Sequence, residues 1–140
     1  MKTLGIDFGD SRTGFAVSDE LGFGAATLPN FKSGSIVKVA EHAAALADEL
    51  GVKEIVVGFP KNMNGTVGQR GERTQMFAEK LKERTDLPVI LWDERLTTVS
   101  AHNLMNVTNV RGKKRKEAVD SISAAFILQS YLDSKGKGGF

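Results

Sequence analysis

The sequence of 140 residues holds no cysteine, which excludes disulfides, thiolate zinc sites and cysteine nucleophiles. Only two histidines occur, His42 and His102, and they lie too far apart in the chain to announce a histidine-rich metal site. No apolar run approaches the ~18 residues of a membrane span. The N-terminus reads as a strand rather than as a basic segment followed by an apolar core, so no export signal is expected and a cytoplasmic location follows. Aromatic residues make up only 7%, and Trp92, Tyr131 and most phenylalanines sit in apolar patterns, as core rather than as a platform for stacked bases. Neither sign of charge dominates. A net charge of +2, with 41% apolar and 26% charged residues, is the balance of an ordinary globular domain.

What is present is organised around the first stretch. Leu4, Ile6 and Phe8 alternate with smaller residues as a buried strand, Gly9-Asp10-Ser11 signals a turn, and Gly14 to Ser18 resumes a strand, which together make a hairpin. Asp7 therefore ends a core strand with an apolar residue on each side. An acid there is costly unless something pairs with it, and metal or phosphate handling is a common reason. An Asp capping the turn through its own backbone is the plainer alternative.

Downstream, Gly22 to Phe31 reads as a third strand, and Ser33-Gly34-Ser35 starts a helix whose stripe is Ile36, Ala40, Ala43, Ala47 and Leu50, ended by Gly51. His42 falls off that stripe and reads as solvated. Lys53 to Gly58 fits a central parallel strand covered on both faces. Asn64-Gly65 marks a tight turn, and a helix over about 68–84 points Thr74, Phe77, Leu81 and Arg84 inward, leaving Arg70, Arg73 and Lys80 to solvent. Leu87 to Trp92 is the last strand and runs into Asp93-Glu94-Arg95. Thr97 or Thr98 can cap a short helix through Leu104. Residues 106–114 read as a mobile loop, about 116–132 as a final helix, and 134–140 as a disordered tail. The expectation is one α/β domain over 1–133, with a mixed five-stranded sheet, an antiparallel meander followed by parallel strands, flanked by helices.

Three acidic positions fall where surface residues are not expected: Asp7, the pair Asp93-Glu94 at the end of the last strand, and Asp120. The last lies in line with Ala124, Ile127 and Tyr131, so one acid interrupts an apolar face of the final helix. If the strands open on one edge, these carboxylates converge where α/β sheets bind ligands. A hard divalent cation, Mg²⁺ or Mn²⁺, then offsets their repulsion, and acids without histidine or cysteine suggest metal-assisted phosphoryl transfer. Asp120 can equally serve as a cap or an ion-pair partner near Arg115. One of Asp93 and Glu94 is expected to be structural, pairing with Arg95; Glu94 is favoured as the ligand for its longer reach.

Basic residues accompany each acid. Arg12 lies in the turn beside Asp7, Arg95 follows Glu94, and Arg111 to Lys116 puts five basic residues in six positions before Asp120. A charge run is commonly a solvated loop, but beside an acid cluster it suits a polyanion held by its backbone rather than by its sequence.

Four motifs, Gly5 to Asp19, Val57 to Thr66, Trp92 to Thr98, and Lys113 to Lys116 leading into Val119 to Gln129, resemble those of the YqgF/RuvX family, in order and over nearly the whole chain. The resemblance implies a ribonuclease H-like fold and a nuclease that matures the small-subunit ribosomal RNA precursor, with metal-dependent hydrolysis at Asp7, an acid of the Asp93-Glu94 pair and Asp120. It makes Arg12, Asn62 and Arg95 substrate- or site-organising residues, beside the basic Lys113, Lys114 and Arg115. Phe59 and Ser123 depart from the family pattern, and neither is expected to touch the chemistry. The competing readings are a resolvase for branched DNA, which would cut as a symmetric dimer, and a non-catalytic RNA-binding assembly factor, needing the basic run but not the acids. An actin-like ATPase, suggested by Gly5 to Gly9, would need two such domains. Monomer and homodimer are both open.

Overall fold

The computed structural model describes residues 1–61, 64–96 and 112–138, the side chains of 96, 112–120 and 136–138 excepted. In chain order its elements are β1 (Thr3–Asp7), β2 (Arg12–Ser18), β3 (Ala25–Lys32), α1 (Ile36–Leu50), β4 (Glu54–Phe59), α2 (Gln69–Lys82), β5 (Val89–Asp93), a 3₁₀ turn (Glu94–Leu96) and α3 (Gly112–Gly138). The strands form one sheet in the order β3-β2-β1-β4-β5. β1 is antiparallel to β2 and parallel to β4, and β4 is parallel to β5. This is the mixed five-stranded sheet that the pattern predicts.

Alternation along the central strands sorts residues between two layers. Leu4, Ile6 and Phe8 pack with Ile55 and Val57 against Val39, Ala40, Ala43 and Ala47 of α1 and Phe77 and Leu81 of α2. The opposite face takes α3, whose Ala124, Ala125, Ile127, Leu128 and Tyr131 pack with Val56, Ala16 and Ala25. Each fully buried Leu, Ile or Phe here contributes about 2 kcal/mol. β4 is buried along its whole length because it runs between these layers with β1 and β5 on either side. Helix α3 lies unusually close to the sheet at β1, where a Cβ on Gly5 would come within 2.7 Å of Leu128 Cβ.

Local chemistry sets the ends of α1. The Ser35 side chain accepts a hydrogen bond from the Lys38 N–H, and Gly51 closes the helix in the left-handed conformation at φ 67°. Two residues behave differently from expectation. Val39 joins the buried stripe of α1, and His42 is only partly exposed: its ring stacks on Phe31 at 4.2 Å and tilts against Phe15 at 5.3 Å. Burial between these rings pushes the His42 pKa down, with Glu49 pulling the other way.

The C-terminal helix is longer than its apolar stripe predicts. It begins at Gly112, inside the expected loop, and continues through Gly138, so residues 134–138 are helical rather than a disordered tail. The physical reason at the far end is Lys135, whose ammonium reaches Glu54 Oε1 at 2.9 Å. Arg84 is exposed rather than inward, and its guanidinium donates to the Lys80 carbonyl at 2.9 Å. The short helix expected after Thr97 and the expected loop over 106–111 lie outside the described residues.

Candidate active site

The parallel strands β1, β4 and β5 end at the same edge of the sheet, with Ile6 beside Val57 and Phe59 beside Asp93. Asp7, the last residue of β1, falls on the α3 face because its neighbours Ile6 and Phe8 are both committed to the opposite layer. Glu94, in the turn after β5, folds back over β4 toward it. Gly58 makes this possible: a Cβ there would lie 2.3 Å from Ile127 Cδ1 and 2.9 Å from Glu94 Oε1. Glycine leaves room for the Ile127 side chain and the carboxylate to lie over the strand as they do.

The Asp7 and Glu94 carboxyl groups come within hydrogen-bonding reach of each other. They line a cleft of about 330 Å³ together with Arg70, Ser123, Phe126 and Ile127. Burial pushes the Glu94 carboxyl above its ordinary pKa and the charge of Asp93 adds to the rise, while Arg70 and the hydrogen bond with Asp7 oppose it. A partly buried acid facing a second acid and an arginine is an arrangement poised to take up a cation or a proton.

Asp93 is placed otherwise. Its carboxylate accepts from Arg95 Nε at 3.1 and 3.0 Å and from Nη2 at 2.7 Å, and it also accepts from the Arg95 backbone N–H at 2.9 Å. The Arg95 guanidinium holds the Asp93 pKa below the usual carboxylate value, with burial opposing it and Lys61 adding to the lowering. The structure thus brings Asp7 and Glu94 together and turns Asp93 to Arg95. Arg12 is exposed at the start of β2, opposite Lys32.

Helix α3 brings Ser123 and Ile127 to the cleft. Position 120 lies in the same helix, three residues before Ser123 and four before buried Ala124. The side chains of Asp120, Lys113, Lys114 and Arg115 are outside the described residues, as is Asn62. Helix α3 is fixed to the meander by Ser121, whose hydroxyl accepts from the Phe15 N–H at 3.2 Å and donates to the Leu28 carbonyl at 2.5 Å. Among the described residues, no group of three His, Cys, Asp or Glu side chains could hold a metal ion. The two facing carboxylates fit a hard cation as two of its oxygen donors.

Two cleft residues escaped the sequence reading. Ser123, expected to be remote from the chemistry, lines the cleft; its position three residues after Asp120 is the signal that could have placed it there. Arg70 lies on the polar side of α2, and nothing in the local pattern distinguishes it from a solvated arginine.

The family model described as "RuvX: Holliday junction resolvase" matches residues 1–134. A protein of Acetivibrio thermocellus named "Putative pre-16S rRNA nuclease" is 52% identical over 139 residues, 98% of this chain and 99% of the relative. A protein of the same name from Geobacillus thermodenitrificans is 49% identical over 140 residues, 96% of this chain and 99% of the relative. Among solved structures, T. thermophilus RuvC in complex with a Holliday junction substrate superposes with a TM-score of 0.68 at 12% identity, covering 99% of this chain and 96% of that one. The Fowlpox virus resolvase with Holliday junction DNA gives 0.60 at 13% identity, covering 96% and 99%. At such identities the likeness is one of fold, and the fold is ribonuclease H-like.

Proposed function

The chain belongs to the RuvX family, and from that premise we propose that it is a divalent-metal-dependent nuclease hydrolysing phosphodiester bonds of structured RNA, with the 5′ end of the 16S ribosomal RNA precursor as its substrate and the cytoplasm as its place. The relatives that share about half of its residues carry the name of that substrate. The observation that carries the reading is the meeting of Asp7 and Glu94 in one cleft beside Arg70.

Two carboxylates so close repel unless a proton or a cation lies between them. Asp7 and Glu94 are assigned as ligands of Mg²⁺ or Mn²⁺, whose preference is for carboxylate and phosphate oxygens. Asp120 is assigned as the third donor, because its helical position heads the same stripe as Ala124 and Ile127, the latter a cleft residue. When bound, such an ion polarises a phosphoryl oxygen and lowers the pKa of a coordinated water.

The chain's own residues supply the rest. Arg70, within electrostatic range of Glu94, is placed to offset negative charge that develops on the phosphate. Phe126 and Ile127 form the apolar wall that limits water in the cleft. Asp93 acts as a positioning residue that holds the Arg95 guanidinium. Arg12, Asn62, Arg95, Lys113, Lys114 and Arg115 are assigned to backbone phosphates, contacts that orient a strand without reading its sequence.

The test incubates wild type and Asp7→Asn with a 16S precursor carrying its 5′ extension and with a four-way DNA junction, each with Mg²⁺, Mn²⁺ or chelator. Metal-dependent cutting of the RNA, lost in the variant, supports the reading. Preferential cutting of the junction transfers the same site to branched DNA. RNA binding by wild type with no cutting of either substrate would favour an assembly factor.

A further inference from the structure

A second cleft, of about 460 Å³, opens at the same edge of the sheet and is lined by Asp10, Gly34, Gln69, Arg70 and Arg73. Its wall includes the β1–β2 turn, and its basic side is the first turns of α2. We propose that this cleft is a phosphodiester-binding subsite, which receives the backbone of the nucleic-acid strand as it leaves the acid cleft. The proposal rests on the nuclease reading for the identity of the strand, but the basic cleft stands on its own geometry.

Arg70 lines both clefts and so sits on the ridge between them. It reaches that ridge because α2 presses its first turn against the exit of β4. A Cβ on the neighbouring Gly71 would come within 2.7 Å of Val67 Cγ1 and 3.0 Å of the Pro60 carbonyl oxygen, so the approach depends on glycine at that position.

Arg73 is held on the second cleft by two different contacts. Its guanidinium lies over the Phe8 ring at 5.8 Å, and its Nε is 3.1 Å from Asp10 Oδ1. Phe8 is itself fixed by stacking on Phe77 at 4.6 Å. The residue that follows Asp7 in the chain therefore orients a cation on the opposite side of the sheet from the acids. Placing an arginine before binding reduces the ordering entropy that a phosphate contact would otherwise cost.

The Asp10–Arg73 pair is also a gate of modest strength. Asp10 is largely exposed, with 72% of its side chain accessible, and an exposed pair of this kind contributes little. A phosphate oxygen arriving at Arg73 can replace the carboxylate, whereas Asp10 repels a strand that does not engage Arg73. Two arginines against one aspartate leave the cleft a net cationic concavity, as a phosphodiester requires and as an apolar ligand does not.

The experiment measures binding without cleavage. Wild-type protein, Arg70→Ala, Arg73→Ala and Asp10→Asn are titrated in chelator with a dye-labelled single-stranded RNA of about 12 nucleotides and with DNA of the same sequence. The titrations are repeated between about 50 and 200 mM potassium chloride. Each arginine variant is expected to bind about tenfold more weakly, with the salt slope reduced by about one unit. Asp10→Asn is expected to bind about threefold more tightly, because Arg73 loses its competing partner. Loss on RNA alone assigns the subsite to RNA, and loss on both strands assigns it to any phosphodiester backbone.

Unchanged affinity and unchanged salt slope in Arg73→Ala, whose side chain lines the second cleft and not the first, would overturn the subsite even if Arg70→Ala binds more weakly, as would weaker binding by Asp10→Asn. The nuclease reading fails separately, if wild type with Mg²⁺ or Mn²⁺ cuts no nucleic acid while these binding differences are still seen. Circular dichroism on Arg73→Ala checks that removing the guanidinium from Phe8 leaves the fold intact. Asp10→Asn, an exposed change away from the core, keeps the test decisive if it does not.

Discussion

Glu54 and Glu94 are two carboxylates set into the same sheet at opposite ends, and their surroundings assign them opposite tasks. Glu54 opens β4 and is only 5% exposed. It accepts from the Thr3 hydroxyl at 3.0 Å, the Tyr131 hydroxyl at 3.0 Å and the Lys135 ammonium at 2.9 Å. Glu94 follows β5 and faces another carboxyl group, with burial raising its pKa. A carboxylate supplied with three donors is complete as it stands and ties α3 to β1 and β4. A carboxylate turned to a second carboxylate is complete only with something added. The difference separates an acid whose hydrogen bonds are supplied by the fold from one that faces a second acid, without reference to the reaction.

The most forceful way to break the comparison is to neutralise each acid in turn. Glu94→Gln should lower metal-dependent cleavage by about 10³-fold, since several kcal/mol of transition-state stabilisation depend on the metal site. Its thermal midpoint should not fall, because the change removes the repulsion between two partly buried acids. Glu54→Leu should do the reverse. It orphans two hydroxyls and an ammonium at a cost of about 2 kcal/mol, lowering the midpoint by about 7 °C, while activity per folded molecule stays unchanged. Calorimetry with active-site-normalised kinetics reads both effects, and a Glu54 variant that loses activity without losing stability would erase the distinction.

Gly58→Ala tests the approach that brings Glu94 to Asp7. The new methyl would meet Ile127 and Glu94 Oε1 at distances no relaxed structure tolerates. The Ile127 side chain, the carboxylate or helix α3 must then move, at a cost of about 1–3 kcal/mol. Cleavage should fall by about tenfold or more, since a small displacement of a catalytic group has a steep effect. An active, fully stable Gly58→Ala would mean that the close packing at this strand end is dispensable.

The smallest effect is at alkaline pH. Burial, and then the Glu54 contact, push the Tyr131 pKa above its ordinary 10.0. The hydrogen bond to Glu54, against desolvation, raises Lys135 above 10.5. In both cases the folded state holds its proton more tightly than the unfolded chain. Their stabilisation is therefore complete below about pH 10 and is lost as pH rises through the folded values. Lys135→Ala should lower the thermal midpoint slightly near neutrality, where the contact with Glu54 is fully formed, and flatten its fall above pH 10. A wild-type midpoint that stays level to pH 11 or so would contradict this.

Much of the fold was legible in the chain. The alternation of Leu4, Ile6 and Phe8, the apolar run of β4 and the Ser35 and Gly51 signals around α1 are local patterns that survive into the structure because tertiary packing agrees with them. The motifs also brought Asp7, Glu94 and Arg95 into view. The misses have a shared cause. His42 looked solvated because Phe31, its stacking partner, comes from another element, and the helical end of α3 looked like tail because its anchor, Glu54, lies 81 residues away. Arg70 and Ser123 gained their place in the cleft in the same way, from where α2 and α3 were packed.

By itself, then, the sequence determined the strand and helix pattern, the family and the presence of acids at strand ends, since each of these is written in residue type and spacing. Only the tertiary structure decided which acid of Asp93 and Glu94 turns to Asp7 and which to Arg95. It alone set Glu54 apart as a satisfied carboxylate and made two arginines of α2 the wall of a second cleft. Those outcomes depend on close approaches at Gly58 and Gly71, where an absent side chain matters only once a distant element arrives to fill its space.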